Sequence, residues 1–285
     1  CACGICLLTS CYERETSQKL LLENFMIKKV LLISTLFTLG GAAIFIFGNP
    51  YIRVFPTNWS LDYYLGMTVV FLILAFIFKR KKQFAKFYTP SYALFVASAA
   101  LLFLKIGIFN IHTNSQNALK GIAVDKLSQF FHVVPVIVLL TLIGGDSLKS
   151  IFIKRSNLRY GISFGLISFA GFAILATLLQ TVPQDVFTRL TKNLPWLLIF
   201  IFANSIMEEL WFRGLFLKKY EPVIGRRAAI IVTALVFGTS HVFATYEFPG
   251  GEFIFGMVVF ILGLVGAQAM FKEDGLIGPV LFHAG

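Results

Sequence analysis

Charge is scarce in this chain of 285 residues: only 14% are Asp, Glu, Lys or Arg, against roughly 25% in a water-soluble domain. Acid is scarcer than base, 14 Asp and Glu facing 25 Lys and Arg. Cysteine is absent beyond Cys11, since all four (Cys1, Cys3, Cys6 and Cys11) fall in the first eleven residues. Disulfides therefore have no part in the body of the fold. Cys3 and Cys6 have metal-knuckle spacing, but with neither a second CxxC nor a His partner they read as part of a tail. No internal repeat, low-complexity tract or long polar linker divides the chain. A soluble globular domain, a disulfide scaffold and an assembly of linked soluble modules are all excluded.

What fills the chain instead is apolar residue, 57% of the total with 32 Phe, and the mean hydropathy is +0.80. Apolar runs long enough to cross a bilayer, about 17–25 residues each, occur at roughly 30–48, 61–78, 92–111, 129–145, 160–179, 195–217, 228–244 and 253–271. A ninth begins at Leu276. The expected fold is an all-α, polytopic membrane bundle of about eight or nine transmembrane helices. Met26-Ile-Lys-Lys before a long apolar run looks like a natural start, which leaves 1–25 as a tail. Residues 26–190 then form N-terminal helices of unassigned role, and 191–285 the region with chemistry in it.

Base is distributed by loop. Lys28 and Lys29 precede the first run, Lys79, Arg80, Lys81, Lys82 and Lys86 follow the second, Lys149, Lys154, Arg155 and Arg159 the fourth, and Lys218, Lys219, Arg226 and Arg227 the sixth. Alternate loops are poorer: Arg53, then Lys120 and Lys126, then Arg189 and Lys192. By the positive-inside rule the N-terminus and the even-numbered loops face the cytoplasm. The net charge of +11 is thus a topology signal, with the lipid bilayer and not a nucleic acid as the partner.

Two carboxylates break the apolar pattern. Glu208 and Glu209 lie inside PWLLIFIFANSIMEELWFRGLF, where a single charge costs roughly 2.5–3.5 kcal/mol on insertion scales. An intramembrane ionisable residue is a functional candidate by default. Arg213 follows Glu209 by four residues, one helical turn, the spacing at which a carboxylate pairs with a later cation. Glu208 has no such neighbour; Asn204 precedes it by four and Trp211 follows by three. Glu209 and Arg213 are therefore expected to be structural, leaving Glu208 for chemistry as a carboxylate that burial would shift towards neutrality. The turn Glu221-Pro-Val-Ile-Gly225 breaks the helix. Glu208 lies sixteen residues before its centre near 224 and His241, in Phe237-Gly-Thr-Ser-His241, seventeen after. An antiparallel hairpin sets such residues at one depth, and His283 comes to a similar depth with modest tilt. One Glu and two His suit the activation of water, by general base catalysis or through a divalent metal. A neutral imidazole would orient the water, and a second would donate to the developing oxyanion. A plain interhelical hydrogen bond between Glu208 and His241 would be ordinary polar glue.

The pattern EExxxR (Glu208, Glu209, Arg213), followed about thirty residues on by FxxxH (Phe237, His241) and later by His283, resembles the CPBP family. These are intramembrane proteases of the CAAX prenyl endopeptidase or Abi type, and the resemblance covers about 195–285. It implies Glu208 as the residue that activates water, Glu209 and Arg213 as its supporting pair, and His241 and His283 as the histidines that hold the water. If a metal such as Zn²⁺ is used, Glu208, His241 and His283 are its implied ligands. The family's last motif continues with Asn or Asp four residues after its histidine, a position that would be 287, past Gly285. The implied activity is hydrolysis of a peptide bond in a membrane-tethered protein or peptide, CAAX-type processing included, in a bacterial cytoplasmic membrane. Two non-hydrolytic readings stand beside it: an immunity or scaffold protein, and a transporter with Glu208 as its ion site.

Other polar residues are weaker. His112 and His132 are expected at span edges. Gly161-Ile-Ser163-Phe-Gly165 matches GxSxG, but a nucleophile elbow needs a strand-turn-helix context, so these read as small residues for close helix packing. Asn58-Trp-Ser60 is a sequon, and Glu247 and Glu252 read as solvated.

Overall fold

A computed structural model describes residues 24–48, 60–108, 117–178, 186–242 and 250–285. The cysteines, Arg53, Asn58, His112 and Glu247 lie outside them. The chain is an all-α membrane bundle, and no strand occurs among the described residues. Its helices are α1 (Asn24–Phe47), α2 (Ser60–Arg80), α3 (Tyr88–Ile106, entered through a 3₁₀ turn at Lys82–Phe87), α4 (Ala118–Ile143) and α5 (Leu158–Leu178). There follow α6 (Val186–Glu208), a π-helical segment (Glu209–Gly214), α7 (Leu217–Ile224), α8 (Arg226–His241), α9 (Glu252–Glu273) and α10 (Ile277–Ala284).

Among the described residues, seven helices are long and apolar enough to cross a bilayer, α6 to α7 counting as one continuous run from Thr191 to Ile224. The expected span at 228–244 is represented by α8, which has 16 residues and at 1.5 Å per residue falls short of a hydrocarbon core about 30 Å thick. The fourth helix starts earlier than its apolar run. Asn117 caps it, its side chain accepting from the Lys120 backbone N–H at 3.1 Å, and this draws Lys120 and Lys126 out of the expected loop and into α4. It also moves His132 from the expected span edge to the middle of α4, where it is 2% exposed with Nδ1 2.7 Å from the Ser128 carbonyl.

The core sits where α3 meets the π segment. Ala93, Ala97, Ala100 and Ser98 of α3 are fully buried, and their small side chains let Trp211 reach across to donate from Nε1 to the Ala97 carbonyl at 3.2 Å. A second π segment, Ala43–Phe47 at the end of α1, supplies Phe45. That ring packs on Phe212 at 4.1 Å and on Trp211 at 5.2 Å between centroids. Inserted π turns of this kind re-aim side chains and recur at functional sites. Here six residues from Glu209 to Gly214 are all buried. The hairpin that brings α8 back beside α7 and the π segment turns at Gly225, whose φ of 81° and ψ of 158° suit glycine alone.

Several connections meet at one end of the bundle. Asp274, between α9 and α10, pairs with Lys154 between α4 and α5 and with Lys218 of α7, the latter at 2.7 Å. Burial alone would raise the Asp274 carboxyl, yet the two lysines hold it below the ordinary carboxylate value. Lys219 adds a pair with Asp146 at 2.6 Å. Lys154 between α4 and α5 and Lys218 and Lys219 of α7 therefore share one side with their acidic partners Asp146 and Asp274.

Helix α10 is fixed from two directions. Glu273, 1% exposed, accepts from the Gly278 backbone N–H at 2.7 Å and from the Ser156 hydroxyl at 2.9 Å, which caps the first turn of α10. On its flank α5 presents Gly161 and Gly165, both buried, and a Cβ at Gly165 would collide with Leu281. The GxSxG residues thus serve close helix packing, and Ser163 faces outward. Replacing Gly165 by Val should lower stability by about 1–3 kcal/mol, the usual cost of overpacking. Gly171→Val, where nothing lies within 4 Å, should not. Thermal unfolding in detergent checks both, and equal melting temperatures would contradict this packing.

Candidate active site

Glu208 and Glu209 follow one another in sequence but enter different surroundings, at the point where the helix changes from α to π. Glu209 is 1% exposed and pairs with the Arg213 guanidinium one turn later. That guanidinium, itself 2% exposed, also donates from Nε to the Gly263 carbonyl of α9 at 3.4 Å. It lies 4.3 Å over the ring of Phe237 of α8 as a cation–π contact. The pair therefore ties the π segment to both neighbouring helices.

Glu208 faces the histidines. His241 Nε2 is 3.7 Å and His283 Nε2 is 3.6 Å from the same carboxylate oxygen, Oε2. The hairpin α6–α8 and the short α10 thus bring together Glu208, His241 and His283. Each imidazole is held by its other nitrogen. His241 Nδ1 lies 2.8 Å from the Phe237 carbonyl, and His283 Nδ1 lies 2.9 Å from Glu209 Oε1. A carbonyl and a carboxylate only accept, so Nδ1 donates in both rings. In a neutral ring Nε2 is then a lone pair. The expected donation from an imidazole to an oxyanion accordingly requires the protonated ring.

Three acceptors, Glu208 Oε2 and two Nε2 atoms, converge across gaps too wide for a direct hydrogen bond. Such a gap is what a bridging water fills. The same shortage of donors continues along the wall. Asn204 Oδ1 and Glu209 Oε2 are buried without a hydrogen-bond partner among the described residues. All five residues line a cavity of about 440 Å³, together with Arg213, Phe237 and the apolar side chains of Phe172, Phe255, Val259, Leu262 and Phe282. One carboxylate and two imidazoles make the donor set of a catalytic zinc site. Among the described residues, however, no three His, Cys, Asp or Glu are grouped closely enough to hold a metal ion.

One participant was not foreseen. Lys126 of α4 places Nζ 3.7 Å from Glu208 Oε1, so Glu208 is not the unpaired carboxylate that its own helix suggests. The signal available in sequence was Asn117, whose capping role sets Lys126 two turns inside a helix.

Residues 190–285 match the family model of Rce1-like type II CAAX prenyl endopeptidases. The last third of the chain is thus similar to domains of this kind, and the matched stretch contains Glu208, Glu209, Arg213, His241 and His283. No curated protein and no solved structure matches the chain.

Arg213→Met should leave the Glu209 charge buried and unneutralised, at a cost of about 3–5 kcal/mol. The double variant Arg213→Met/Glu209→Gln should recover most of that loss. Thermal unfolding of the two in detergent is the check; an Arg213→Met protein as stable as the parent would remove the structural role from the pair.

Proposed function

We propose that this integral membrane protein, whose C-terminal domain belongs with intramembrane endopeptidases of the CAAX type, hydrolyses a peptide bond of a membrane-associated substrate. Glu208 is the base, and a water held between its Oε2 and the two Nε2 atoms is the nucleophile. The observation that carries this reading is the convergence of three lone-pair acceptors on one gap beside an apolar cavity. A water there has both its hydrogens directed to the protein, which aims an oxygen lone pair at whatever occupies the cavity.

The sequence of events follows from these positions. As the water oxygen bonds to the substrate's carbonyl carbon, its proton passes to Glu208 and the carbonyl π electrons move to oxygen. Either imidazole, when protonated at Nε2, donates to that oxyanion. Glu208 then gives the proton to the departing amine as the C–N bond breaks, so one carboxylate acts as base and then as acid. Asn204, Glu209 and Arg213 shape the polar wall. The aromatic and aliphatic wall formed by Phe172, Phe255, Val259, Leu262 and Phe282 suits an apolar segment, which a membrane-tethered, CAAX-type C-terminus would supply. Lys154, Lys218 and Lys219, grouped at one end, support a cytoplasmic N-terminus, and we place the protein in a bacterial cytoplasmic membrane.

Glu208→Gln keeps the size of the side chain and removes the base. Cleavage of a farnesylated CAAX peptide in proteoliposomes should fall by at least about a hundredfold, the low end of what general base catalysis contributes, with the protein still folded. Cleavage at the parental rate by Glu208→Gln would reject the assignment of the base.

A further inference from the structure

The region matched by the family model begins at residue 190, yet one of the charges at the site comes from α4, well outside it. The charge count explains why one is needed. Two carboxylates, Glu208 and Glu209, are buried side by side in an apolar bundle. Arg213 neutralises Glu209. Both imidazoles are anchored through Nδ1 elsewhere, to the Phe237 carbonyl and to Glu209. The ammonium nearest Glu208 is that of Lys126, at 3.7 Å from Oε1, with its side chain 17% and that of Glu208 12% exposed. Two anions are thereby matched by two cations.

The geometry also separates the two carboxylate oxygens. Oε1 faces Lys126 and Oε2 faces His241 and His283. Lys126 does not line the cavity, so it stands behind the carboxylate, away from any substrate. A cation there attracts Oε1 electrostatically and so favours the rotation of the carboxyl group that turns Oε2 to the water gap. The stem of Lys126 reaches this point because α4 packs along α6.

We infer that Lys126 is a positioning residue for hydrolysis, a cation supplied by the N-terminal helices that orients and charge-balances Glu208. This rests on the hydrolytic reading of the site. It also assigns a role to the N-terminal helices: the domain at 190–285 alone lacks a charge that its own site requires.

Three measurements test this. The first is a double-mutant cycle on thermal unfolding in detergent with Lys126→Met, Glu208→Gln and the double variant. Coupling between the two positions is expected, with Lys126→Met lowering the melting temperature of the parent more than that of Glu208→Gln. The second uses a farnesylated CAAX peptide in proteoliposomes. For Lys126→Met, kcat should fall about tenfold to a hundredfold with KM nearly unchanged, the pattern of a lost transition-state interaction. Lys126→Arg should restore most of it. Chemical rescue adds a third arm: Lys126→Cys, with Cys1, Cys3, Cys6 and Cys11 replaced by Ser, should regain activity on treatment with bromoethylamine, which rebuilds a lysine-like ammonium at that single thiol. Additive melting effects overturn the pair, and Lys126→Met with parental kcat overturns the positioning role while leaving the hydrolytic reading intact. Coupling in a parent protein that cleaves no peptide rejects the hydrolytic reading, and with it the role in hydrolysis, and leaves only the ion pair.

Discussion

Two neighbouring carboxylates buried in an apolar helical bundle set the terms for everything around them. An unpaired buried charge is among the costliest features a protein can carry, so each must meet a cation or a donor. Glu209 meets Arg213 one turn away and His283 from α10. Glu208 meets Lys126 from α4 and shares a gap with two ring nitrogens. The partners come from α4, α8 and α10, and satisfying the charges therefore fixes how those helices meet the end of α6 and the π segment.

The fold supplies that arrangement through local devices. Consecutive positions about 100° apart on the helix, at the junction of α6 and the π segment, send the two carboxylates to different partners. Gly225 closes the hairpin that returns α8, Glu273 caps the short helix that presents His283, and glycines on α5 let that helix sit close. None of these devices carries chemistry itself. Each sets where a titratable side chain ends, and a displacement of about 1 Å in such a site is enough to cost a large factor in rate.

Much of the site was legible because its contacts are either one helical turn long or symmetric about a turn. Glu209 and Arg213 could be paired from their spacing, and Glu208 and His241 from nearly equal distances to the turn centred near residue 224. The long apolar runs gave the membrane class and most helices. Lys126 was different: 82 residues separate it from Glu208, and the first turns of α4 are polar enough to resemble a loop. Hydropathy locates the apolar part of a helix, whereas the cap at Asn117 locates its start. The same limit placed His132 at a span edge when it lies mid-helix. The π segment left no mark in the pattern, since a single inserted residue leaves an apolar run apolar, and the short α8 was read as a full span for the same reason. Glu273 was not singled out in the sequence, since its contacts with Ser156 and Gly278 arise only in the tertiary fold.

The central claim is that water, activated by Glu208, attacks the substrate directly and no side chain forms an acyl intermediate. Cleavage of a farnesylated CAAX peptide in ¹⁸O-labelled water with added hydroxylamine tests it most directly. Direct attack predicts one ¹⁸O atom in the new carboxylate and no hydroxamate. A hydroxamate product would show an acyl-enzyme captured by the amine, and would contradict the water mechanism.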